Sequence, residues 1–212
     1  MSRSNPSNAE RLSVPGPFGA DAYRQAVASD DLVAARVKVK ETDILVSAAV
    51  DLGDRAENLV QRYRARIESY IACHPNFARA LTPLARDAAA PDVVRAMIAA
   101  GVLAGVGPMA AVAGAIAEFV GTELLPWSRD IIVENGGDIF VRSEAPREVL
   151  LLAENSEFEG LRITVPPSPR AIGLGTSSGT TGPSMSFGRA DAVMAMAPSA
   201  ALADAAATAV AN

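Results

Sequence analysis

The residues best suited to chemistry lie in the last stretch of the chain, Ala171–Asn212. An alanine-rich helix is predicted over Pro198–Asn212. It carries Asp204 and Thr208, whose oxygens share one helix face because the two residues are four positions apart. Earlier in the stretch, Ile172–Thr181 is interpreted as a small-residue loop whose backbone N–H groups can bind an anion. Carboxylate and hydroxyl oxygens suit a hard cation, so the sequence predicts a site that holds a cation and a phosphate together.

Most other catalytic signatures are excluded by the residues present. The chain has one histidine, His74, and one cysteine, Cys73, which are too few for a zinc site. His74 stands at a predicted helix end, where a cation suits the helix dipole, so it is interpreted as a cap rather than a general base. No P-loop occurs, and Gly173, Gly175 and Gly179 do not follow the dinucleotide-binding spacing. What remains is oxygen chemistry from hydroxyls and carboxylates.

The composition indicates one substantial domain. The 212 residues are half apolar and carry a net charge of −5, which argues against a nucleic-acid partner because such surfaces are usually basic. The one basic segment, Gln61–Ser69 (QRYRARIES), is interpreted as the solvated face of a helix. A single cysteine fits a reducing compartment, and the polar start of the chain has no apolar signal core. We therefore expect a mobile tail over residues 1–20, a single domain over residues 21–212 and a cytoplasmic location.

The uncharged segment Ala96–Ala117 is long enough to be considered as a membrane span. It is rich in Ala and Gly rather than Leu, and Gly107-Pro108 stands at its centre, where a proline breaks a helix. The segment is therefore predicted to form two buried helices joined by a turn, and no membrane partner is expected.

Hydrophobic periodicity predicts an α+β protein. The predicted elements, in chain order, are strands Leu32–Lys40 and Thr42–Val50, helices Asp51–Cys73, Pro91–Ala104 and Pro108–Leu124, strands Asp130–Glu134, Asp138–Val141, Glu148–Ala153, Leu161–Val165 and Ala192–Ala197, and helix Pro198–Asn212. The Asn-Gly-Gly sequence at Asn135 is a strong turn signal between two of these strands. This order indicates a layered fold with a mixed or antiparallel sheet rather than a doubly wound one.

Three segments occur in the order of the motifs of the ApbE superfamily, the FAD:protein FMN transferases. Gly114–Ala117 (GAIA) resembles the Gly-x-Ile-Ala helix entry of that family, Asn135–Ile139 (NGGDI) resembles its Gly-Gly-(Asp/Asn)-Ile turn, and Ala203–Ala209 (ADAAATA) resembles its Ala-Asp-Ala-x-x-Thr-Ala motif. Thr176–Gly179 (TSSG) is similar to its Ser-Gly segment. The pattern is most similar to a short, uncharacterised ApbE-like branch, and the resemblance runs from about Val37 to the end of the chain.

The resemblance implies a magnesium ion and a flavin. The implied magnesium ligands are Asp204, Thr208 and the backbone carbonyl of Ala115, or that of Ala117 if the register differs. Magnesium takes oxygen ligands together with bound phosphates, and it polarises a diphosphate for transfer. The implied cofactor-binding residues are Gly136, Gly137, Asp138, Thr176, Ser177, Ser178 and Gly179. The expected ligand is FAD, FMN or another phosphorylated metabolite, and the expected reaction is transfer of FMN; no catalytic side chain is assigned.

Two other functions stay open at this point. Glu118 follows the Ile-Ala motif where the transferases have lysine, and no histidine follows the Ser-Gly segment. These differences favour a flavin- or nucleotide-binding protein that lacks transfer chemistry. The small residues of Pro91–Leu124 would also allow close helix packing between subunits, which favours a structural role in a homo-oligomer.

Overall fold

The structure is a computed structural model that describes residues 31–150, 162–177, 190 and 192–212. The tail expected over residues 1–20 lies outside the described residues, as do Ser178 and Gly179 of the expected cofactor loop. In the described part of the chain, the centre of the fold is a six-stranded sheet.

The main sheet is antiparallel throughout. Its strands are β1 (Val33–Val39), β2 (Thr42–Ala48), β3 (Ile131–Asn135), β4 (Asp138–Ser143), β7 (Ser168–Ser177) and β8 (Val193–Ala197). They lie in that order across the sheet, and each pair of neighbours is antiparallel. A second, two-stranded sheet pairs β5 (Arg147–Leu150) with β6 (Arg162–Val165).

The described helices cover one face of the main sheet. They are α1 (Gly53–Cys73), α2 (Asp92–Ala104), α3 (Val112–Leu124) and α4 (Ala200–Ala211), together with single 3₁₀ turns at Pro75–Ala78 and Pro108–Ala111. The apolar residues of α1 recur at three- and four-residue spacing, and Val60, Tyr63 and Ile67 are buried against the core.

The two faces of the sheet are buried against different partners. Ile44 and Val133 point to the helices and belong to the larger apolar core. Val141 and Leu174 point to the other face, where they pack with Val149 of the small sheet. This alternation follows from the two-residue period of a strand. The predicted α+β class with an antiparallel sheet is confirmed.

The uncharged segment folds as two helices joined by a turn, as predicted. Among the described residues, no single helix is long and apolar enough to cross a membrane. The pair Asp92–Ala104 and Pro108–Leu124 meets the criteria of length and composition only when taken together, and it is bent by 107° at the intervening break.

The interpretation of Ile172–Thr181 as a loop is wrong for its described part, which belongs to β7. Gly173 and Gly175 lie two residues apart and therefore face the same side of the strand. A Cβ atom on Gly175 would lie 2.3 Å from the carbonyl carbon of Ala203 in α4. The glycines are thus required for α4 to lie directly on the sheet.

Candidate functional site

The turn between β3 and β4 holds several polar residues at one end of the sheet. Gly136 and Gly137 form this two-residue turn with φ angles of 66° and 104°, which glycine adopts without strain. The N–H of Gly137 donates to the carboxylate of Glu134 at 2.9 Å. Asn135 and Asp138 pair across the turn. The two predicted glycines therefore serve to fix the polar side chains around them.

The hairpin is bonded on both sides to other predicted motifs. The amide nitrogen of Asn135 donates to the carbonyl oxygen of Ala113 at the start of α3, at 2.9 Å. On the other side, the backbone N–H of Thr176 donates to Asp138 at 3.3 Å, and the Thr176 hydroxyl donates to the carbonyl of Gly137 at 3.0 Å. The motif segments that are distant in sequence thus meet at one end of the sheet.

Asp204 lies on the neighbouring helix α4 and caps the N-terminus of α3. The residue before α3 is Ala111, which has no side-chain hydrogen bond to offer. The carboxylate of Asp204 replaces it and accepts from the backbone N–H of Gly114 at 2.9 Å. A Cβ atom on Gly114 would lie 2.2 Å from the carbonyl oxygen of Ala200. Glycine is therefore required for this close approach, and the carboxylate stabilises the helix by about 1 kcal/mol.

Glu118 makes the reverse contact, from α3 to the N-terminus of α4. Its carboxylate accepts from the hydroxyl of Ser199 at 2.6 Å and from the N–H of Ala201 at 3.1 Å. Each helix therefore supplies the carboxylate that caps the other, and we call Asp204 and Glu118 the reciprocal caps. The anion at position 118, where the transferases have lysine, satisfies backbone donors at the start of α4.

The carboxylates at the sheet end are buried, and this changes their acidity. Burial raises the pKa of Asp204 to about 7, although the N–H groups of Gly114 and Ala113 favour its ionised form. Burial also raises the pKa of Asp138 well above its usual value, and the charge of Asp204 raises it further. Two buried like charges oppose each other's ionisation. The region therefore favours protonated carboxyl groups over a permanent double negative charge.

Two of the three predicted magnesium ligands already accept a hydrogen bond within the protein. Asp204 is engaged with Gly114. Ala115 lies within α3, where a carbonyl accepts from the N–H four residues further on. Thr208 lies one turn beyond Asp204 on α4. Among the described residues, no group of three or more His, Cys, Asp or Glu side chains is arranged to hold a metal. Magnesium therefore stays a prediction.

The described residues of the predicted cofactor set are used inside the protein. Thr176 bonds to the hairpin through both its N–H and its hydroxyl. Ser177 is half-buried at the end of β7, where it pairs with Val193 of β8. These residues support the polar end of the sheet, and the binding role predicted for them stays a prediction.

A cavity of about 320 Å³ lies on the opposite side of the first turn of α3. Its walls come from α1, the start of β2, the turn before α3, the first two turns of α3 and the end of β3. The apolar lining residues are Ile67, Ile71, Met109, Val112, Ala113 and Ile116, and the polar ones are Glu41, Thr42, Arg64, Glu68 and Asn135. A mainly apolar cavity of this size with a few polar groups is typical of a small-molecule site.

Arg64 organises the polar wall of this cavity. Its terminal nitrogens donate to the hydroxyl of Thr42 at 2.5 Å and to the carboxylates of Glu41 and Glu68 at 2.5 and 3.0 Å. Lys40 forms a further ion pair with Glu68 at 2.7 Å. The two cations and two anions balance, so the cavity wall carries no net charge from this cluster.

Comparison with known proteins places the chain in a family. A family described as "AbpE bacteria" matches residues 24–212. The chain belongs to this family. Its relatives include UPF0280 proteins of Methanocella arvoryzae, 41% identical over 84% of this chain and 73% of the relative, and of Methanocaldococcus jannaschii, 43% identical over the same shares. A third, from Methanococcus aeolicus, is 39% identical over 84% of this chain and 73% of the relative.

This result corrects the family assignment drawn from the motifs. The matched family and the UPF0280 relatives identify a UPF0280-type family, and the assignment to the superfamily of FAD:protein FMN transferases is wrong. The motifs are short and built mainly from Gly, Ala and Asp. In this structure Gly114, Gly136 and Asp204 serve helix packing, a tight turn and a helix cap, which are needs that many folds share.

Asn135 and Ile116 line the cavity and belong to motifs, but the cavity residues from α1 and the start of β2 lie outside every motif and were missed. Gln61–Ser69 was interpreted as a solvated face, and this is wrong for Arg64, whose side chain is only 14% exposed. A signal was present, because Arg64 lies three and seven residues before the apolar Ile67 and Ile71 and thus near their helix face. Thr42 gave no signal beyond its place at the start of a strand.

Proposed function

We propose that this UPF0280-type protein binds a flavin or a related nucleotide cofactor, with the ring system in the cavity between α1 and α3. The observation that carries the proposal is the cavity itself, about 320 Å³ in volume, with apolar walls and a polar end. A flat heteroaromatic ring has apolar faces and a polar edge, which matches such a lining.

The electrostatics of the cavity support binding that does not depend on a metal. Arg64 is neutralised by Glu41 and Glu68, and the first turn of α3 is capped by Asp204. Neither group offers an uncompensated positive charge, so burial of apolar ring surface supplies the main driving force. Binding should therefore persist when divalent cations are chelated.

Calorimetric titration of FMN and FAD in the presence of a chelator tests the proposal. Met109 is half-buried and lines the cavity, so Met109→Trp fills the space and should abolish binding while the fold is kept. Leu103 is 71% exposed on α2, and Leu103→Trp is the matched control that should bind like the wild type. Absence of flavin binding by the wild type, or equal binding by Met109→Trp, would contradict the proposal.

Transfer of the FMN group from FAD to a protein hydroxyl, with magnesium, is a second candidate. What supports it is the meeting of the motif segments at the end of the sheet, through Asn135, Thr176 and Asp204. In this reaction the acceptor hydroxyl loses its proton to solvent, its oxygen bonds to the FMN phosphorus, the diphosphate bond of FAD breaks, and AMP leaves. Release of AMP from FAD in the presence of magnesium and a threonine-containing acceptor protein tests it, and its absence leaves flavin binding as the function.

The cellular location, the partners and the oligomeric state of the protein are also proposals. We expect a cytoplasmic location, because flavin nucleotides are available there and one cysteine suits a reducing compartment. With a net charge of −5 we expect no nucleic-acid partner. A homo-oligomer is compatible with binding, and light scattering of the purified protein tests it.

A further inference from the structure

Two buried polar side chains in the cavity wall have hydrogen-bonding groups that no other residue in the described part of the chain satisfies. Thr42 and Asn135 are 6% and 8% exposed, and both line the cavity. Asn135 pairs with Ile44, which is two residues after Thr42 on the neighbouring strand. Such diagonal neighbours point to the same face of a sheet and are about 7–8 Å apart. The two side chains can therefore contact one ligand together.

Thr42 is left with a donor. A guanidinium group only donates hydrogen bonds, so the Thr42 oxygen is the acceptor in its 2.5 Å contact with Arg64. The hydroxyl hydrogen of Thr42 is then directed elsewhere. A ligand acceptor, such as a ring carbonyl oxygen, satisfies it.

Asn135 is left with an acceptor. Its partner at 2.9 Å is the carbonyl oxygen of Ala113, which cannot donate, so the amide nitrogen must face Ala113 and the amide oxygen must face the other way. A ligand N–H group satisfies this oxygen. The wall thus presents the Thr42 hydroxyl as a donor and the Asn135 oxygen as an acceptor, with the second N–H of the Asn135 amide as a further donor.

The same wall is unsuited to phosphate. The terminal nitrogens of Arg64 are held by Thr42, Glu41 and Glu68. Its third nitrogen, Nε, is shielded from solvent and has no hydrogen-bond partner among the described residues. A phosphate placed there would lie beside two carboxylates without a free cation, which is costly in a partly apolar site.

We infer that the cavity selects an uncharged ring with a carbonyl next to an N–H group. The inference rests on the proposed function and makes it more specific. The carbonyl accepts from Thr42 and the N–H donates to Asn135, as the pyrimidinedione edge of a flavin allows. The phosphate-bearing chain of the ligand stays outside the cavity. Recognition is therefore by the ring, and the phosphate adds little to affinity.

Calorimetric titrations with riboflavin, FMN, 3-methylriboflavin and AMP test this inference. Riboflavin should bind within about threefold of FMN, and AMP should not occupy the cavity. Methylation of the ring N–H should weaken binding about tenfold, because the oxygen of Asn135 then loses its donor. On the protein side, Thr42→Val should weaken riboflavin binding about tenfold, whereas Thr42→Ser, which keeps the hydroxyl, should not.

The outcomes separate the inference from the proposed function. If no flavin binds to the wild type, the proposed function fails and the inference fails with it. If flavins bind but neither ring methylation nor Thr42→Val matters, the inference alone is overturned. Binding of FMN and AMP without riboflavin also overturns it, because recognition would then be through phosphate. The methylated ligand needs no protein variant, so its result is independent of any folding defect.

Discussion

The first turn of α3 has two sides that differ in how their polar atoms are used. On the α4 side, the carboxylate of Asp204 accepts from Gly114, and Glu118 accepts from Ala201 in return. On the α1 side, the same turn borders a cavity of about 320 Å³, where Thr42 and Asn135 each keep an unused function. One side is closed by backbone contacts and the other has room for a ligand.

The difference teaches that residue types associated with chemistry are not sufficient to locate a site. Asp204 and the glycines of β7 belong to the segment whose residue types most suggested a functional site. In the structure, these glycines allow α4 to pack directly on the sheet, and Asp204 caps α3. The cavity wall comes partly from α1 and the start of β2, whose sequences carry no motif, and partly from α3 and the end of β3, which do. Free volume, rather than residue type, separates the two sides. Substitutions at three positions, two of them with a control variant, test this contrast from the largest expected effect to the smallest.

Gly175→Ala should be the most damaging change on the closed side. Its Cβ atom would lie 2.3 Å from the backbone of Ala203 and 2.4 Å from the backbone nitrogen of Asp204, so α4 must move away from β7. We expect a loss of about 3 kcal/mol or more in the free energy of unfolding. Urea denaturation monitored by circular dichroism measures it.

Gly105→Ala provides the control for this substitution. It adds the same methyl group at a φ of 78°, but a Cβ atom there meets nothing within 4 Å. Only backbone strain opposes it, so the cost should be about 1 kcal/mol. Equal losses of unfolding free energy for the two variants would show that the stability of α4 does not depend on its contact with β7. Close packing would then not be what distinguishes the α4 side from the cavity side.

The same glycines explain how far the sequence predicts this fold. Strands β1 to β4 and the four described helices follow from hydrophobic period, prolines and the Asn-Gly-Gly turn. Strand β7 does not, because Gly173 and Gly175 have low strand propensity. Glycine is required at these positions by the close packing of α4, which comes later in the chain. A strand whose glycines alternate with a buried Leu174, before an alanine-rich helix, is the signal that would have indicated it.

The candidate site was predictable only in part for a similar reason. The meeting of Gly114, Asn135 and Asp204 follows from their motifs, and the structure brings these segments together. The cavity depends on how α1 crosses the start of β2, so that Arg64 reaches Thr42 over a separation of 22 residues. Sequence periodicity gives the buried face of a helix but not the partner opposite it.

Asp204→Ala tests whether the closed side is structural. It removes the acceptor of the buried N–H of Gly114, and we expect a loss of about 2 kcal/mol in unfolding free energy. Asp204→Asn keeps an acceptor oxygen and should lose less than about 1 kcal/mol. Flavin affinity of Asp204→Asn, measured with and without magnesium, should equal that of the wild type. A folded Asp204→Asn protein that has lost flavin or magnesium binding would instead make Asp204 a ligand, as its motif predicts.

Asp138→Asn should have the smallest effect, and one that depends on pH. Asp138 accepts from the N–H of Thr176, and an asparagine oxygen can keep this bond while removing the charge. The pKa values of Asp138 and Asp204 are both raised in the folded protein, that of Asp204 to about 7. Stability from a raised carboxyl pKa is complete below the unfolded value and is lost as pH rises through the folded value. The wild type should therefore lose stability as pH rises from about 4 through the folded pKa of Asp204, about 7.

The variant should be more stable than the wild type near pH 8 and equal to it near pH 4. Comparing the two proteins is necessary because other carboxylates act in the opposite direction; Tyr63, for example, lowers the pKa of Glu123. Such background contributions cancel in the difference between variant and wild type. A constant difference at all pH values would mean that Asp138 and Asp204 do not oppose each other's ionisation. Greater stability of the wild type near pH 8 would mean that the charged pair has a compensating partner, and the closed side would then hold a ligand of its own.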